Sequence, residues 1–144
     1  MVLGTPTDPG TIRGVVPAYF HAIVEESPSE LEALIHPRAV VLARSRQLGA
    51  RDYLLSRFAR YDYGSLRGSV IYREEELEVT EPDPTESRER AARAGLEPDV
   101  DQRLVRIRIV AQSAGRPRLF ADDLTLRLVA HGSGWVVLEI AEEF

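Results

Sequence analysis

Apolar positions in the first third of the chain recur at helical spacing. Ile12, Val15, Val16, Tyr19 and Ile23 project onto one stripe, with Phe20 at its edge. Asp8-Pro9 reads as the cap and first-turn proline of this helix, and Pro17, which removes the bond to the Arg13 carbonyl, predicts that it is bent or in two pieces. Ser27-Pro28-Ser29-Glu30 is a capping box opening a short helix through Leu31, Leu34 and Ile35, which His36-Pro37 ends. Ala39 to Ala43 then reads as a short strand and Arg44 to Gly49 as a turn. From Ala50, the stripe Leu54, Leu55, Phe58 and Tyr61 predicts a third helix, closed by Asp62-Tyr63-Gly64.

The period then changes from 3.6 to 2. Ser69 to Thr80 is a long strand candidate whose Glu74-Glu75-Glu76 must lie at an exposed edge or a bend. Leu104 to Ala111, Arg118 to Ala130 and Trp135 to Glu142 follow as strands, joined by turn-rich 113–117 and by His131-Gly132-Ser133-Gly134, which predicts an antiparallel meander. The segment 81–103 interrupts this series with almost nothing to bury. Asp83-Pro84 could cap a short helix ending at Gly95, with Glu86/Arg90 and Glu89/Arg93 as i,i+4 pairs. Two readings of the insertion stay open: a solvated, mobile segment, or a lid or dimer arm.

Alternation assigns faces. Val105, Ile107 and Ile109 share one side of their strand, and Arg106 and Arg108 the other. On the next strand Phe120, Asp122, Leu124, Leu126 and Leu128 share a face, opposite Asp123, Thr125 and Arg127. Asp122 is therefore a carboxylate expected on an apolar face, where it needs a partner or a wet cavity. Tyr19, in the middle of the first helical stripe, poses the same question for its hydroxyl.

Composition narrows the chemistry. The 144 residues fit one domain, residues 1–144, and the 44% apolar and 28% charged content is that of an ordinary soluble globular chain. All 18 basic residues are Arg, which coding bias explains better than any site. The net charge of −5, without a basic cluster, argues against nucleic acid as a partner. That charge is concentrated: 9 Arg and 11 acids in 1–80, 4 and 7 in 81–103, and 5 and 5 in 104–144. Half or more of it therefore belongs to the insertion. The absence of cysteine excludes thiolate nucleophiles and Cys-containing metal sites. His21, His36 and His131 have no ligand spacing, and no phosphate or dinucleotide fingerprint occurs, so no metal or cofactor is expected. The glycine- and proline-interrupted start suggests neither a signal peptide nor a membrane span, and hence a cytoplasmic protein.

Val15-Val16-Pro17-Ala18-Tyr19-Phe20, Leu34-Ile35-His36-Pro37-Arg38-Ala39-Val40-Val41, and Leu124-Thr125-Leu126-Arg127-Leu128 through Gly134-Trp135-Val136-Val137 resemble stretches of the nuclear transport factor 2-like superfamily. The resemblance, to SnoaL-like and ketosteroid isomerase-like members found in bacteria, implies an α+β cone with N-terminal helices packed on a curved, mainly antiparallel sheet. It also implies a homodimer through the sheet. Ketosteroid isomerases pair an oxyanion hole with an aspartate base. Tyr19 falls on their tyrosine and Asp122 or Asp123 near their second acid, but the base position falls on Ala43, which excludes a standard isomerase.

Two functions stay open. In one, a small apolar or polyketide-like molecule binds in the cone and Asp122, as general acid or base, works with Tyr19 as hydrogen-bond donor in a cofactor-independent isomerase, cyclase or lyase. In the other, the domain is a non-catalytic homodimeric scaffold whose pocket is filled by its own side chains.

Overall fold

A computed structural model describes residues 11–43, 46–110 and 119–142. The first helix, α1 (Ile12–Val24), is capped by the Thr11 side chain, which accepts from the Gly14 amide at 2.9 Å. The Asp8-Pro9 cap lies outside the described residues. Pro17 does not split α1. It sits buried between Val16 and the Tyr19–Phe20 pair, where apolar burial offsets the lost helical bond. The helix α2 (Pro28–Leu34) begins as expected, with Ser27 Oγ accepting from the Glu30 amide.

The strand β1 (Ile35–Ala43) starts before the expected Ala39, because His36-Pro37 stays extended after leaving the helix. Proline has no N–H for the ladder, and the register slips between Ile35 and Val40. The expected turn at 44–49 contains β2 (Arg46–Gly49), antiparallel to β1, and α3 (Ala50–Arg60) follows directly.

The expected long strand at 69–80 is a correction. A 3₁₀ turn, Tyr63–Leu66, precedes this region, and a second, Glu74–Glu76, lies within it, leaving β3 (Glu78–Thr80) as its only strand. Strand geometry would turn one of three consecutive glutamates inward, whereas the tight turn leaves none of them buried and returns Leu77 to the core. The meander completes with β4 (Gln102–Arg108), β5 (Asp123–His131) and β6 (Gly134–Glu142). Among the described residues the sheet order is β2-β1-β6-β5-β4-β3, antiparallel except for the β1–β6 pair. Gly132, at φ 58°, supplies the left-handed position of the β5–β6 turn.

A β-bulge decides which side chains of β6 face the helices. Arg127 pairs with Glu139 but Leu128 with Val137, so Leu138 is an extra residue. Before the bulge Val137 enters the main core; after it Ile140 and Glu142 turn inward, while Glu139 points to the opposite face.

That opposite face is covered by the charged insertion. The helix α4 (Pro84–Arg93), capped by Asp83, buries Ala91, and Ala94 at its end packs with Val129, Val136 and Leu138. Glu86 and Arg90, expected to pair with each other within the helix, pair with the sheet. Glu86 pairs with Arg127 and Arg90 with Glu139, while Gln102 Nε2 donates to the Ser87 carbonyl at 2.8 Å. The insertion is thus a cover docked on the sheet, over part of the face expected to carry the homodimer.

Candidate functional site

Of the two residues expected to face inward together, the structure buries Tyr19, at 2% exposure, and leaves Asp122 exposed. The inward placement of Asp122 is therefore corrected. Regular strand geometry begins only at Asp123, and the chain bends at Asp122, so the alternation that holds for Leu124, Leu126 and Leu128 does not extend back to it.

The carboxyl group near Tyr19 is Glu142, 4% exposed at the end of β6. One of its oxygens, Oε2, accepts from the Ala121 amide at 3.0 Å. Burial pushes its pKa from the ordinary 4.5 up to about 7, against the pull of the Ala121 hydrogen bond and the Arg57 charge. Leu42 lies beside Ala141 in the β1–β6 ladder, and the next step of that register sets the backbone of Ala43 beside Glu142. The strand neighbouring the apparently empty base position thus carries a buried acid.

Three tyrosines and an arginine surround this end of the core. From α1, Tyr19 feels both its own burial and the Glu142 charge, which together hold its phenol protonated well above the usual range. From α3, Tyr53 is raised mainly by burial. Tyr63, in the first 3₁₀ turn, is pushed up to about 12, again mainly by burial. Its hydroxyl accepts from Arg57 Nε at 2.6 Å and donates to the Leu119 carbonyl at 3.0 Å. The Tyr63 proton is therefore committed, whereas Tyr19 is the more deeply buried of the two remaining phenols that could donate to an incoming oxygen. Arg57 also donates from Nη2 to Leu119 O at 3.3 Å, and its guanidinium stacks over Tyr61 at 4.6 Å.

Aromatic packing fills the space behind these groups. Phe20 meets Tyr19, Tyr72 and Phe120 at centroid distances of 5.3, 5.2 and 5.4 Å, and Phe120 meets Tyr63 at 5.5 Å. Clefts of about 330 Å³ by Leu31, Ile35 and Pro37, about 380 Å³ by Glu75, Glu78 and Arg106, and about 220 Å³ between α4 and β1 lie elsewhere. None of the three includes Tyr19, Asp122 or Glu142. Among the described residues no group of three or more His, Asp or Glu side chains could hold a metal ion, and no helix is long and apolar enough to cross a membrane.

No protein-family model matches the sequence, and no curated protein matches it. Solved structures do. An NTF-2-like protein of unknown function from Silicibacter pomeroyi is 12% identical, with 89% of this chain and 87% of that one covered at a TM-score of 0.46. A structure described as Rd1NTF2_05 with long sheet is also 12% identical, with 90% and 92% covered at a TM-score of 0.45. The order helix, short helix, strand, helix and mainly antiparallel sheet is an α+β fold of the arrangement that the sequence resemblance implies.

Proposed function

We propose that the domain binds a small, largely apolar molecule at the Tyr19–Glu142 end of its core and acts on it by cofactor-independent acid–base chemistry. The observation that carries this reading is Glu142: a carboxyl almost wholly removed from water, among tyrosines, with its proton affinity raised to about 7. Such a group sits where a general acid or base is most effective at neutral pH. In this role Glu142 takes over from Asp122, and Tyr19, held protonated, donates to the oxygen on which charge develops. An isomerase, cyclase or lyase of polyketide-like compounds fits that pair.

The filled aromatic interior favours the second reading, a non-catalytic scaffold in which Glu142 only tethers the Ala121 amide. A thermal-shift screen of cyclic ketones, polyketide-like aromatics and lipids at pH 6 and pH 8 separates the two. Binding near 100 times Kd should raise Tm by about 5 °C or more for at least one class. The gain should differ between the two pH values and lose that difference in Glu142→Gln. No gain from any class at either pH would leave the scaffold.

A further inference from the structure

Glu142 is held by one backbone amide, and that amide belongs to a segment fixed from the far side of the core. Arg57 Nε donates to Tyr63 Oη at 2.6 Å, Arg57 Nη2 to Leu119 O at 3.3 Å, and Tyr63 Oη to the same carbonyl at 3.0 Å. Two residues on, the Ala121 amide donates to Glu142 Oε2 at 3.0 Å. Ile109 N donates to Asp122 O at 2.8 Å and anchors the other end of the stretch. Resting on the acid–base reading of Glu142, we infer that Arg57 is a positioning residue, which acts through Tyr63 and the 119–121 backbone to hold the Ala121 amide on the Glu142 carboxyl.

Arg57 suits this role because its planar fork serves two acceptors at once, Tyr63 Oη and Leu119 O. A lysine would keep the charge and lose the second arm. The segment also carries Phe120, whose ring packs edge-on against Tyr63 and Phe20, so movement of Leu119 would disturb the wall of the site as well as its acid. Among the described residues, the ionisable groups around Glu142 are Tyr19 from α1, Tyr53 and Arg57 from α3, and Tyr63 from the 3₁₀ turn. Only Arg57 among them is cationic. Its charge and its hydrogen bonds both favour the carboxylate, so the experiment must separate the two.

Tyr63→Phe does so, since it leaves the ring and the Arg57 charge in place and removes the hydroxyl that links them, so that only the longer Arg57 Nη2 bond of 3.3 Å still holds Leu119 O. In the protein alone, the Glu142 titration midpoint should rise by about half a unit to one unit, the consequence of a weakened hydrogen bond to the charged form. The Ala121 amide should exchange roughly tenfold faster, a local opening made easier by about 1.4 kcal/mol. Arg57→Lys should show the same two changes. If Tyr63→Phe does not fold, Arg57→Lys carries the test by itself. An unchanged midpoint and unchanged Ala121 exchange, or full rescue by lysine, would reduce Arg57 to a charge acting through space and overturn the inference. Because no ligand is present, such a failure is distinct from a failure of the binding screen.

Discussion

Arg127→Ala is expected to lower stability by about 3–5 kcal/mol in chemical denaturation, the largest loss for any single charged residue of the sheet. Arg127 is 2% exposed, pairs with Glu86, donates from Nη1 to Gln102 Oε1 at 2.9 Å and lies 3.7 Å by Nε from Glu139. Glu139 is itself only 7% exposed. Truncation leaves that largely buried carboxylate with Arg90 as its remaining ion-pair partner among the described residues, and takes from α4 one of its attachments to the sheet. The network is not fully satisfied, since Arg127 Nε and Arg90 Nε are buried without a hydrogen bond. Its net contribution is accordingly modest, while the cost of breaking it is not. Removing one member of an exposed pair such as Arg51–Glu32 should cost about 0–1 kcal/mol. A loss below about 1 kcal/mol for Arg127→Ala would show that α4 does not bury the charges of the sheet as described.

The second large effect is a dependence of stability on pH through Glu142. Its folded-state pKa, about 7, lies above the ordinary 4.5, so the folded protein holds this proton more tightly than the unfolded chain. The contribution is complete below about 4.5 and is lost as pH rises through about 7, a span of 2.5 units that corresponds to about 3 kcal/mol. Glu142→Gln keeps an oxygen for the Ala121 amide and cannot ionise. Its stability relative to wild type should therefore improve between pH 4.5 and pH 8 by about 3 kcal/mol, read as the difference between urea denaturation curves at the two values. A constant difference across that window would mean that Glu142 titrates alike in both states.

The helices were legible because their signals are local. The Ser27 capping box, the α3 stripe from Ala50 and the Asp83-Pro84 cap all appear where periodicity and capping chemistry place them. The site was only half legible. Tyr19 follows from the helical stripe, but the inward carboxyl does not follow from alternation. Counted from Val137, a regular strand would turn Glu139 inward and Glu142 outward, and the bulge at Leu138 reverses both. The apolar run Val136-Val137-Leu138 was the available sign of that break, being too continuous for a strand with one polar face. Asp122 misled for the converse reason, because alternation was extended beyond the first residue of β5. Alternation puts Arg127 on the face away from the core but gives no sign of its burial, because the partner that covers it comes from an insertion 41 residues earlier. Tyr63 and Arg57 carry no sequence signal beyond a turn and a helix surface, since the Leu119 carbonyl to which both donate lies 62 residues from Arg57.

Glu142 is the acid buried on the helix-facing side of the sheet, and this is the central claim. Following the Glu142 side-chain carboxyl by ¹³C NMR through a pH titration, with Glu142→Gln to assign the resonance, tests it most directly. A midpoint near 7 is the result predicted by its burial. A midpoint in the ordinary carboxylate range, near 4.5, would contradict both that burial and the acid–base role built on it.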